Sequence, residues 1–318
     1  MLTVKYLKEG EYREEDVCVS VMAALYNGKW IFCRDKERQS WELPGGHREK
    51  GETPLETAYR ELYEETGAYD AEITPVSAFC ITTEKGVDYA VLYLAKIRAL
   101  GPIPESSEVG EIREFTCIPS DLTYPLIHND LFGYVQRFLN FQSIKGVPLE
   151  IFGKDKMPKR YCKTAEERLE SDEYFACVHV WLRNEKGNYL LFNRTLDRGY
   201  PGLWSCATGM VRKGEHSTSA ALRIIKEHTG SDVPAEDGKC LLSITNGSVI
   251  ADIWLWGFDE PLDRVSYDKK RYTRADYASK MDIIILNKCS MLVPFNYTRE
   301  LLQKADRLFY MKYPGELS

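Results

Sequence analysis

No stretch of the 318-residue chain approaches the roughly 18 consecutive apolar residues a membrane-spanning helix needs, so no such span is expected. The opening segment, MLTVKYLKEGEYREED, is charged and lacks the apolar core of a secretion signal. Positive charge is not in excess. With 42 Lys and Arg against 48 Asp and Glu, the net charge is -6, which argues against non-specific binding to nucleic acid or an anionic membrane. It does not argue against one small anionic ligand. C-x-x-C spacing is absent, and the nine cysteines (Cys18, Cys33, Cys80, Cys117, Cys162, Cys177, Cys206, Cys240, Cys289) are odd in number. A disulfide framework or zinc site is therefore not expected; buried, reduced thiols in a cytoplasmic protein are. Low-complexity tracts are missing too, and the length suits two globular domains.

The chain carries one pattern twice. An apolar strand (Val17–Leu25; Phe175–Leu182) is followed by a turn with Asn-Gly or Lys-Gly and a second strand (Trp30–Cys33; Tyr189–Phe192). Then come a Trp-led segment, a glycine, Lys-Gly-Glu, a helical stretch and Thr-Gly. Asn27-Gly28 between apolar runs is a hairpin signal. A helical pattern over Leu131–Leu139 precedes a polar stretch, so the join is placed near residue 145, giving domains 1–145 and 146–318.

Within the first half, Gly46, Glu52, Arg60, Glu61, Leu62, Glu64, Glu65, Gly67 and Ala68 stand at the spacing G-x5-E-x7-R-E-U-x-E-E-x-G-U, where U is apolar or small. Thr53-Pro54-Leu55-Glu56 reads as a capping box with proline at the first helical position, and Gly67 as the stop, predicting a helix from Pro54 to Thr66. Leu55, Tyr59, Leu62 and Thr66 form one stripe, expected to face the core. Glu61, Glu64 and Glu65 form another face, and like charges at that spacing cost about 0.2–0.5 kcal/mol per pair in an isolated helix. A solvated helix face would explain three glutamates alone. Three neighbours favour a site for a hard cation such as Mg2+ or Mn2+ instead: the Leu-Pro-Gly-Gly segment just upstream, Arg60 one turn from Glu64, and Gly46, whose carbonyl can approach a cation unobstructed.

This spacing resembles the Nudix box. The resemblance implies an α/β fold of two Nudix-type α/β/α sandwiches with mixed sheets, the first a catalytic hydrolase domain and the second a degenerate copy. It implies water attack on one phosphorus of a diphosphate in a nucleotide-like substrate, with Mg2+ (or Mn2+ as substitute) neutralising the diphosphate oxygens. Glu64 and Glu65 are then metal ligands, Glu61 a further ligand or the group that deprotonates water, Glu52 a supporting carboxylate, Arg60 the group that holds the cluster in register, and Gly46 a carbonyl ligand. Glu108 and Glu111 are candidates for a later-loop carboxylate, with a charged strand edge as the alternative. Trp41, Tyr89 and Tyr93 are candidates to stack on a base, with core packing as the alternative. The first half looks most like nucleoside triphosphate pyrophosphohydrolases; nucleotide sugars, dinucleoside polyphosphates and RNA 5' caps remain open.

In the second half the frame persists as Gly209, Glu215, Arg223, Ile224, Ile225, Lys226, Glu227, His228, Thr229 and Gly230. Ile224 and His228 replace two glutamates, leaving a poor Mg2+ site, so this copy is expected to be inactive. His228 reads as an imidazole favoured by the helix C-terminus. The segments around YFACVHVWLRNEKGNYLLFNR and PGLW resemble the isopentenyl diphosphate isomerase branch of the superfamily. The position of that branch's catalytic cysteine is Thr208 here, with Cys206 two residues away, and isomerase activity is not expected. Two roles stay open for this half. It is a scaffold, in a homodimer or an intramolecular pseudo-dimer, or a nucleotide sensor in which His216, Arg212 and Lys213 meet phosphates.

Overall fold

The structure is a computed structural model that describes residues 3–312 apart from 9, 85, 143, 166, 168, 196 and 197. Its contacts divide the chain into two compact units, residues 1–140 with 196–201, and residues 141–195 with 202–318.

In the first unit the elements are β1 (Thr3–Leu7), β2 (Val17–Tyr26), β3 (Lys29–Asp35), β4 (Gly45–His47), α1 (Pro54–Thr66), β5 (Ala68–Thr83), β6 (Gly86–Leu100), β7 (Val109–Phe115) and α2 (Pro125–Gln142). The sheet runs β1-β5-β6-β2-β3-β7, with β4 paired to β2. It is mixed: β2 and β6 run parallel while β2 and β3 form an antiparallel hairpin. Asn27 and Gly28 both take positive φ, 48° and 77°, as a two-residue hairpin turn requires. Side chains alternate along β2. Met22 and Ala24 pack with Ala58 and Leu62 of α1, whereas Ala23 and Leu25 pack with Leu131, Val135 and Leu139 of α2. The sheet therefore lies between the two helices.

Helix α1 has the predicted ends: the Thr53–Glu56 capping box is formed, and Gly67 adopts the left-handed conformation with φ 74°. Its buried face differs from the expected stripe. Pro54, Thr57, Ala58, Leu62 and Thr66 are buried, whereas Leu55 and Tyr59 are exposed. The small side chains of Thr57 and Ala58 let the helix sit close on the sheet, which turns Glu61 and Glu65 inward and Leu55 and Tyr59 outward.

The second unit contains β8 (Leu149–Phe152), β9 (Pro158–Lys163), β10 (Tyr174–Arg183), β11 (Tyr189–Arg194), β12 (Trp204–Ser205), β13 (Ala207–Met210), α3 (Ser217–Thr229), β14 (Lys239–Asn246), β15 (Val249–Gly257), β16 (Tyr272–Ala278), α4 (Lys280–Lys288) and α5 (Thr298–Lys312). Its sheet is also mixed, with β10 parallel to β15 and antiparallel to β11. Val178, Val180 and Leu182 face α3, and Cys177 and Trp181 face α4 and α5. All nine cysteines are free, but Cys240 and Cys289 are exposed, so the expectation of uniformly buried thiols fails. Cys240 lies at the start of β14, the last strand in the sheet order, and Cys289 just past α4. No described helix is long and apolar enough to cross a membrane.

Candidate active site

Arg60 is the hub of the first unit's site. Its Nε and Nη2 donate to the two oxygens of Glu52 at 2.7 and 3.0 Å, and Nη2 also donates to the His47 carbonyl at 2.9 Å. Nη1 donates to Glu61 at 2.8 Å and to Glu64 at 3.0 Å. One planar guanidinium thus ties the loop before α1 to two carboxylates on it, which a lysine cannot do. The hydrogen bonds from Arg60 hold the Glu52 carboxyl down at about 2.

The helix carboxylates divide by depth. Glu64 has 47% of its side chain exposed and Glu61 only 13%. Glu65 is held from within, its Oε2 accepting from the Gly45 amide at 2.9 Å and from the Cys33 thiol at 3.5 Å. Burial, with Glu61 and Glu42 nearby, pushes the Glu65 carboxyl up to about 8, and burial raises Glu61 as well, against the pull of Arg60. Gly46 lies against the Glu61 carboxylate so closely that a Cβ on it would stand 2.2 Å from Oε1. Among the described residues no three His, Cys, Asp or Glu side chains are gathered for a metal ion; Glu52, Glu61 and Glu64 converge on Arg60 instead. The donor chemistry still fits a hard divalent cation. All the donors are oxygens, two carboxylates sit largely buried beside like charge, and the Gly46 backbone lies against the cluster.

The other predicted residues fall elsewhere. Glu111 pairs with Arg34 and Arg113, whose guanidiniums lie over the Trp41 ring at 5.1 and 4.9 Å. This group packs on the α2 face of the sheet, because Glu111 alternates with Ile112, which faces α1. Glu111 is thus not brought to the α1 carboxylates. Trp41 is only 5% exposed and sits in the core with Phe115, so it is closed to a stacking base. Tyr93 is likewise buried and Tyr89 half-buried. Glu108 is exposed just before β7, and its carbonyl accepts from the Lys36 amide. The sequence pattern assigns no site role to Cys33 or the Gly45 amide, although the alternation of β3 places Ile31 and Cys33 on one face.

The NUDIX domain family model matches residues 17–136 and 173–254, well over half of the chain. The chain belongs to the Nudix family. An uncharacterised Nudix hydrolase of Listeria monocytogenes is 27% identical over 42% of this chain and 81% of its own length. An ADP-ribose pyrophosphatase of Bacillus subtilis is 36% identical over 29% of this chain and 51% of its own. Among solved structures, a pyrophosphohydrolase of Bacillus subtilis aligns at 18% identity over 42% of this chain and 89% of its own, with a TM-score of 0.38. As a Nudix hydrolase the chain is an enzyme.

The second matched segment rebuilds the Nudix frame with only two of its four carboxylates, Glu215 and Glu227. Arg223 grips Glu215 through two hydrogen bonds of 2.6 and 2.8 Å, the Met210 carbonyl at 2.8 Å and Glu227 at 3.2 Å, as Arg60 grips Glu52, His47 and Glu64. Where Gly46 abuts Glu61, Gly209 abuts Ile224, and a Cβ there would stand 2.1 Å from Cδ1. Where Cys33 meets Glu65, the Phe192 ring meets His228 at 5.7 Å. His228 is buried, with Nδ1 donating to the Ile224 carbonyl at 2.8 Å and Nε2 2.6 Å from the Tyr272 hydroxyl. It lies in the last turn of α3, as expected, but within the core, because Phe192 and Tyr272 enclose it. Cys206 is fully buried, and burial raises its thiol further from reactivity.

Proposed function

We propose that the first unit hydrolyses a diphosphate bond in a nucleoside diphosphate-linked substrate, preferentially a nucleoside triphosphate, releasing a monophosphate and pyrophosphate. The observation that carries this reading is the set of four carboxylates, Glu52, Glu61, Glu64 and Glu65, ordered on and beside α1 by Arg60 and Gly45. Glu61, Glu64 and Glu65, with the Gly46 carbonyl, would hold Mg2+ or Mn2+, which supplies charge neutralisation on the diphosphate oxygens when bound. Arg60 keeps Glu61 and Glu64 oriented. Glu61, largely buried with its carboxyl raised, is suited to take the proton of the attacking water, as a general base works best near the operating pH. A new P–O bond forms to that water and the bridging P–O bond breaks, its electron pair leaving on the pyrophosphate oxygen.

A nucleotide sugar is the second reading, favoured by the 36% identity to an ADP-ribose pyrophosphatase. Two features support a non-catalytic second unit: Ile224 and His228 fill the places of Glu61 and Glu65 with packed groups that are not carboxylates. Phosphate and pyrophosphate release should be measured with Mg2+ or Mn2+ against nucleoside triphosphates, nucleotide sugars and dinucleoside polyphosphates, with EDTA and Glu64→Gln controls. Metal-dependent turnover lost in the variant is the expected result; turnover of no class refutes the reading.

A further inference from the structure

The second unit has not only lost carboxylates; two have become arginines, and both arginines point at the one remaining helix carboxylate. The equivalences rest on matching backbone bonds. The Glu49 amide donates to Glu52 at 3.0 Å as the Arg212 amide donates to Glu215 at 2.9 Å. The Lys36 amide donates to the Glu108 carbonyl as the Thr195 amide donates to that of Arg271, both at 3.0 Å. The register shift between Arg34 and Asp35 against β7 recurs between Asn193 and Arg194 against β16. Arg212 thus stands where the first unit has Glu49, and Arg271 where it has Glu108.

Glu227 is met by Arg212 at 3.1 Å, Arg223 at 3.2 Å and Arg271 at 3.7 Å. The first unit has six carboxylates and one guanidinium at these places; the second has two carboxylates and three guanidiniums, with Asp268, 3.6 Å from Arg271, as a third carboxylate beside them. A surplus of acid that calls for a cation has become a balanced set, in which the two newly placed guanidiniums keep N–H donors that an anion can take. Arg212 and Arg271 are 41% and 25% exposed, so a dissolved anion can reach both. A phosphoryl group suits two such forks, because its oxygens accept paired N–H bonds from guanidinium.

We propose that the second unit binds a diphosphate group at Arg212 and Arg271 without a divalent metal, the ligand replacing Glu227 as their partner. This inference does not depend on what the first unit hydrolyses. It is tested by calorimetric titration of the full chain in EDTA with inorganic pyrophosphate and, separately, ADP. Saturable binding that weakens as salt rises is expected. Arg212→Gln and Arg271→Gln should each weaken it about tenfold or more, and Arg271→Lys, which keeps the charge but not the fork, by less. Glu227→Gln should tighten it several-fold, since a competing carboxylate is gone, and Glu64→Gln in the first unit should leave it unchanged. Unaltered melting temperatures verify that the variants fold. Tighter binding of ADP than of pyrophosphate marks a nucleotide as the source of the group, and equal binding marks the diphosphate alone; either supports the site. No saturable binding at millimolar probe, affinity indifferent to both arginines, or weaker binding in Glu227→Gln overturns it.

Discussion

Adjacent glycines in the loop before α1 should fail in opposite ways when given a methyl group. In Gly46→Ala the Cβ would stand 2.2 Å from Glu61 Oε1 and 2.3 Å from its carboxyl carbon. These atoms end a flexible side chain, so the helix need not move; the carboxylate swings aside and loses its 2.8 Å bond to Arg60. That costs about 1 kcal/mol of stability, the worth of a typical hydrogen bond. Turnover should fall by roughly 100-fold, because a displacement of about 1 Å at the reacting centre is enough for that. In Gly45→Ala the Cβ would meet the Ser20 carbonyl oxygen at 2.5 Å and the Val21 Cα at 2.9 Å. Both atoms are backbone of the central strand β2, which cannot yield, so about 2–4 kcal/mol of stability should be lost. Melting curves in EDTA and metal-dependent turnover of each variant separate the two. Full turnover in Gly46→Ala, or a wild-type melt in Gly45→Ala, would refute the packing described for this loop.

Glu64→Gln should cut turnover by roughly 100-fold or more, while Glu227→Gln, on the unit lacking the acidic set, should leave it within about twofold; equal losses in an activity assay would show that both copies are catalytic. The metal-free chain should lose stability between pH 6.5 and 8. Glu65 is raised to about 8 when folded and stands near 4.5 unfolded, so its contribution is full below 4.5 and lost as pH rises through 8. Chemical denaturation in EDTA should show a fall on the order of 1–2 kcal/mol that Glu65→Gln flattens; an unchanged slope in the variant would disprove the assignment. His128 and His179, both held near 4 by burial, act oppositely: the unfolded chain takes up protons first, so their contribution is present above 6.5 and lost as pH falls toward 4. Replacing His179 by Phe should reduce that acid sensitivity, read from denaturation midpoints at pH 7 and 5. Ile224→Glu, placing a carboxylate against Gly209 in a sealed core, should destabilise the second unit by on the order of 3–5 kcal/mol rather than restore a site, as a thermal melt would reveal.

The local elements were legible because short-range chemistry determines them. Thr53, Pro54, Glu56 and Gly67 bound α1 through caps that involve only near neighbours, and Asn27-Gly28 makes its hairpin by backbone preference alone. The box spacing marked Arg60 and the glutamates, since one helix carries most of them. Which side of that helix is buried was decided by tertiary packing: Thr57 and Ala58 let it approach the sheet, and Leu55 and Tyr59 were left outside against the simple apolar pattern. Strand register likewise put Glu111 and Trp41 on the far face, bonded to Arg34 and Arg113. The same registers carried Arg271 to Glu227, although the equal spacings from Gly67 to Glu108 and from Gly230 to Arg271 already held that correspondence. A linear pattern states which residues share an element; the charge each one meets depends on partners far along the chain, and only the folded sheet brings those together.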